Sequence, residues 1–114
     1  MTDEVRLRVV FYKTEAGKEP VRDWLKSLPA NEKKIIGLDI KTVQFGWPLG
    51  MPMVRKLEKD LWEVRSHLPN RIARVIFTVD DEIMVLLHGF IKKSQKTLGN
   101  ELTLARKRMQ TLKE

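Results

Sequence analysis

The stretch from Lys56 to Lys93, KLEKDLWEVRSHLPNRIARVIFTVDDEIMVLLHGFIKK, leaves the chain few ways to fold. Apolar and charged residues recur there at a spacing of two, which sends successive side chains to opposite faces of a strand. Turn-forming residues at Ser66–Asn70, including Pro69, and at Asp80–Glu82 divide it into three strands. Counted along those strands, Trp62, Val64, Val75, Phe77, Val79, Ile83, Val85 and Leu87 share one face. That face is wholly apolar and must be covered. Leu61, Glu63, Arg65, Arg74, Ile76, Thr78, Met84, Leu86, His88 and Phe90 share the other. It carries a carboxylate, two guanidiniums and an imidazole, and chemistry is expected there.

The remaining segments supply the cover. Residues 5–12, VRLRVVFY, alternate as a strand with Val5, Leu7, Val9 and Phe11 on its buried side. Pro20 suits the first turn of a helix, and Val21, Trp24, Leu25 and Leu28 give that helix one apolar stripe, which Pro29 ends. A second helix is predicted from Asn31 to Phe45, with Ile36, Ile40 and Val43 inward and Gly46 at its end. Trp24 and Trp62 fit the seam between these helices and the sheet. The prolines and glycine of Trp47–Pro52 exclude regular structure, and Val54–Leu57 leads into the central stretch. After a linker at Ser94–Gly99, Asn100 is placed to cap a last helix with Leu102, Ala105, Met109 and Leu112 along its apolar stripe. The expected fold is α+β, one compact domain over residues 1–114. An antiparallel sheet is covered on one face by a helical hairpin, in the order β-α-α-β-β-β-α.

Several function classes are excluded. With no cysteine there is neither a disulfide framework nor a thiolate metal site, and His67 and His88 lack metal-ligand spacing. No cofactor or metal is expected. No apolar run is long enough to cross a bilayer and no signal-peptide core appears, so no membrane role and a cytoplasmic location are expected. The net charge of +7 makes a polyanion the natural partner. From Gly89 onward seven Lys or Arg face two Glu, so this segment carries +5 of the +7.

Arg65 and Arg74 fall on one face of neighbouring strands, where like charges cost stability unless an anion lies between them. Glu63 is one such anion, in a structural salt bridge. A phosphate is the other, because a guanidinium fork fits it bidentately and stays charged. Lys56, Lys92, Lys93 and Lys96, with Arg71 in the turn, extend the positive rim as RNA-binding candidates. His88 reads either as a hydrogen-bonded structural histidine or as a proton acceptor.

Taken together, LWEVR, RIARVIF, LLHGFIKKSQKT and FYKTEAGKEPVRDWL resemble the phage-derived HigB-like toxins of the RelE superfamily, from about Phe11 to Arg108. The resemblance implies a RelE-like fold and a ribosome-dependent messenger-RNA endonuclease. It also implies inhibition by a cognate helix-turn-helix antitoxin of the HigA type. Such toxins cut with a cluster of basic residues instead of paired histidines. By position the resemblance assigns Arg65 and Arg74 to that cluster, Lys93 after the last strand, and Lys56 more loosely. Some members use a tyrosine near the C-terminus, whereas the one tyrosine here is Tyr12.

Attack of a 2′-hydroxyl on its own phosphate needs a proton acceptor, charge stabilisation and a proton for the leaving 5′-oxygen. Arg65 and Arg74 suit the second task, Glu63 or His88 the first, and Lys93 or Lys56 the third. The rival reading is a non-catalytic nucleic-acid-binding protein of the same fold. A third is a basic surface that docks an acidic protein.

Overall fold

The structure is a computed structural model, which describes residues 6–92 and 99–113. Five strands form one sheet: β1 (Arg8–Phe11), β2 (Val54–Glu58), β3 (Leu61–His67), β4 (Ile72–Asp80) and β5 (Ile83–Lys92). Their order across the sheet is β1-β5-β4-β3-β2. β2 to β5 form an antiparallel meander, and β1 lies parallel to β5. The helices are α1 (Pro20–Lys26), α2 (Ala30–Gly46) and α3 (Gly99–Leu112). The α+β class and the helical hairpin agree with the sequence reading, but the sheet is mixed and gains a strand. Val54–Glu58 is a separate strand that turns through Lys59 and Asp60 into β3. Asp60 adopts a left-handed φ of 65°, a conformation that Asp tolerates better than most residues.

α1 and α2 cover one face. Ile36, Ile40 and Val43 of α2 are buried against Val64, Val75, Phe77, Met84 and Leu86, as the i, i+4, i+7 spacing dictates. Trp47, just past α2, sets its edge against Trp62 (5.1 Å, 89°) and Phe77 (5.6 Å, 73°). Trp24 of α1 lies so close over Gly89 that an added Cβ would come within 2.4 Å of its ring. Side-chain absence at Gly89 is what lets α1 reach the sheet.

β5 departs from the expected alternation in its first half. The turn from β4 has two residues, Asp81 and Glu82, so Asp80 faces Ile83 and Val79 faces Met84. A three-residue turn would have paired Val79 with Ile83, and a slip of one residue exchanges the faces of a whole strand. Met84 and Leu86 therefore lie under the helical hairpin, while Ile83, Val85 and Leu87 lie on the other face. A bulge then corrects the register: Phe77 pairs with Leu86 and Ile76 with His88, leaving Leu87 as the extra residue. His88 and Phe90 consequently occupy the face expected for them.

The second face is not open throughout. α3 packs Ala105, Leu102 and Met109 on Leu61, Ile76, Val85 and Leu87. Two of its arginines, and Lys113 just after it, serve that docking. Arg106 donates two bonds of 2.8 Å to Glu58, Lys113 lies 3.7 Å from Asp60, and Arg108 donates to the Leu87 carbonyl at 2.7 Å. Among the described residues, no helix is long and apolar enough to cross a membrane.

Candidate nucleic-acid interface

Beyond the patch under α3, the second face carries its charge. β3 and β4 place Arg65 opposite Arg74 and Glu63 opposite Ile76. β2 sets Arg55 opposite Glu63, and β5 sets Phe90 opposite Arg74 and Lys92 opposite Ile72. Lys92, Arg74, Arg65 and Arg55 thus form a diagonal row over β5, β4, β3 and β2. At a strand spacing of about 4.8 Å the row crosses roughly 14 Å of sheet.

Its floor is a buried ion pair. The Arg74 and Glu63 side chains are both 0% exposed, with Nη1 of Arg74 3.4 Å from Oε2 of Glu63. Neither Glu63 oxygen accepts a hydrogen bond. Burial pushes the Glu63 carboxyl above its ordinary value, and Arg74, Arg55, Arg65 and Lys92 pull it back only in part. Burial also lowers the Arg74 pKa, with Glu63 opposing and Arg65 and Arg55 adding to the shift. The Lys92 ammonium is likewise lowered, by burial first and then by Arg74, Arg65 and Arg55.

Three cations above this floor are uncommitted. Arg55 is exposed, and Arg65 and Lys92 are half-buried. No side-chain hydrogen bond or ion pair holds any of the three among the described residues, and the Nε of Arg65 is buried without a partner. Arg65 stands directly across from Arg74, an opposition that is destabilising on a sheet unless an anion answers it. Beside the row, the His88 ring stacks on Phe90 (5.4 Å, 21°), and its Nε2 lies 3.2 Å from Oε1 of Glu101 in α3.

Residues 23–110 match the family model described as Phage derived protein Gp49-like (DUF891). The chain belongs to the phage-derived Gp49-like family. That family is of the RelE/HigB toxin type, so the resemblance seen in the sequence holds at the level of the family. A search of curated proteins finds no match. The matched span of this Gp49-like chain contains the entire cation row, together with His88 and Glu101.

The Gp49-like domain does not bring all the expected site residues together. Arg65, Arg74, Glu63, Lys92 and His88 share one face, as their spacing implied. Arg74 has no exposed surface, so a joint grip on phosphate by Arg65 and Arg74 is closed to its guanidinium in this arrangement. Lys56 pairs with Trp62 and holds its Nζ 6.0 Å from that ring, on the face under the helical hairpin. Arg71 is bound to Glu32 at the start of α2 by bonds of 2.6 and 3.3 Å, and this raises its pKa. Lys93 and Lys96 lie outside the described residues. Tyr12 packs with the α3 cluster and accepts a hydrogen bond from Thr111 at 3.3 Å. Arg55 is the residue that the sequence reading overlooked. Its signal was the short Lys59–Asp60 turn, which makes Val54–Glu58 a strand and puts Arg55, not Lys56, on the face of Arg65.

Proposed function

We propose that this chain is the toxin of a type II toxin–antitoxin pair and cuts messenger RNA on the ribosome. The observation that carries this reading is the set of uncommitted cations, Arg55, Arg65 and Lys92, gathered over a buried carboxylate in a Gp49-like domain. Arg65 stabilises the anionic phosphorane, and Arg74 adds its charge from below without touching RNA. The 2′-oxygen forms a bond to phosphorus while the bond from phosphorus to the 5′-oxygen breaks. His88 takes the 2′-hydroxyl proton, with Glu101 as the positioning residue that holds its Nε2. Lys92, whose lowered pKa eases proton release, with Lys93 next in the chain, protonates the 5′-oxygen. The sealed Glu63 acts only through Arg74 and the field of the row. A helix-turn-helix antitoxin of the HigA type is the inhibitory partner.

Induced expression in a bacterium, with mapping of transcript ends, tests the proposal. Growth arrest with 2′,3′-cyclic phosphate ends is expected, and Arg65→Ala should slow cleavage about 10²–10³-fold. Products with 3′-hydroxyl ends would discard the route. A second reading, RNA binding without cleavage, draws on the complete burial of the one carboxylate within the row. Intact transcripts in cells expressing a wild-type protein that still binds RNA would select it.

A further inference from the structure

We infer that Arg55 holds the RNA phosphate next to the scissile one, so that the row reads a run of backbone and not a single phosphodiester. The inference rests on the RNA reading above. Register places Arg55 across from Glu63, on the same face as Arg65 and one strand further towards the β2 edge of the sheet. It is exposed, whereas Arg65 is half-buried and Arg74 is sealed. The row thus rises from the buried floor to solvent as it nears the edge.

Several other cations of the fold are committed to partners. Arg22, Arg71, Arg106 and Lys113 each have a carboxylate within 4 Å, and Arg108 has the Leu87 carbonyl. Arg55 has no such partner among the described residues, and Glu63 opposite it is already shared with Arg74. On the same face Arg65 stands diagonally across, its backbone position at the roughly 7–8 Å typical of diagonal strand neighbours. Two arginine side chains anchored at that spacing can reach two successive phosphates of one strand. β2 is also the edge strand, so Arg55 stands at the margin of the sheet, while Leu57 further along β2 packs under α3. No base edge is engaged by such a contact, so it raises affinity without selecting sequence.

The test is binding of a fluorescent single-stranded RNA decamer, made non-cleavable with 2′-O-methyl sugars, over a salt series. Arg55→Ala should weaken binding severalfold at low salt and reduce the slope of log K against log salt by about 0.7, the value of one lost phosphate contact on a single strand. Arg55→Lys should keep the slope. Lys107→Ala, which removes an exposed charge of α3, should leave it unchanged, and all three variants should melt with the wild type. An Arg55→Ala slope equal to the wild-type slope overturns the inference and leaves the function standing. An equal fall in Lys107→Ala overturns it too, by reducing the effect to net charge. A wild type that does not bind the decamer at any salt overturns the inference, while the reading beneath it stands or falls on the transcript ends mapped in cells.

Discussion

The two faces of the sheet are built on different principles. Under α1 and α2 the side chains are apolar, the aromatic rings of Trp47, Trp62 and Phe77 meet edge to face or stacked, and Gly89 is shaved to admit Trp24. Under and beside α3 the apolar cluster is smaller, and next to it lie a buried ion pair and a row of like charges. Burial of apolar surface stabilises a fold directly, whereas burial of a charge does so only when its partner is present. The first face holds the domain together. The second keeps charges that a protein selected for stability alone would not keep, and that difference marks where function lies.

The largest effects should separate the faces by how they are rescued. Phe77→Ala removes a fully buried ring between two tryptophans and should cost about 3–5 kcal/mol in denaturant unfolding. Arg74→Met should cost a similar ~3–5 kcal/mol, because the Glu63 carboxylate is left buried without its nearest cation. Adding Glu63→Leu to Arg74→Met should restore most of that loss, as apolar pairs often replace buried ion pairs at little cost. Failure of the double variant to recover would mean that the pair carries the fold in its own right.

Gly89→Ala comes next. The new methyl must displace the Trp24 ring, so a loss of about 1–3 kcal/mol and a lower melting temperature are expected. An unchanged melting temperature would show that α1 is held loosely on the sheet.

A smaller effect distinguishes the faces by pH. The folded chain binds the Glu63 proton more tightly than the unfolded chain, since burial raises the carboxyl above 4.5. The Glu63 contribution to stability is therefore full below the unfolded value and declines as pH rises through the raised one. Glu63→Gln should remove that decline from a stability–pH profile. The smallest effect is expected at the partly exposed pair of Arg106 and Glu58, where Glu58→Gln should lower stability by no more than about 1 kcal/mol.

Much of this contrast was legible in the sequence. The period-two pattern of β3 and β4 fixed which of their residues share a face, and the apolar spacing of α2 fixed its buried stripe. The register of β5 was not legible, because one residue of turn length and one bulge reverse the faces of Ile83 to Leu87 and then restore them. Both devices depend on pairing between strands and leave no trace in hydrophobic period. Arg74 was readable as a member of the charged face, but its depth was not. Depth depends on what covers the sheet, and alternation reports only which side a residue points to. The roles of the basic residues of α3 were unreadable for the same reason, since Arg106 and Arg108 are indistinguishable by charge from Arg65 until their partners are located.

The central claim is that Arg65 is held for an anion that the fold itself does not provide. It is tested most directly by thermal melting of wild type and Arg65→Ala, each with and without the non-cleavable single-stranded RNA. The wild type should gain stability with RNA concentration by mass action. Arg65→Ala should melt at or above the wild type without RNA, through relief of the opposition to Arg74, and should lose most of the RNA-dependent gain. An Arg65→Ala protein that melts lower without RNA, or gains as much as the wild type with it, would contradict the claim.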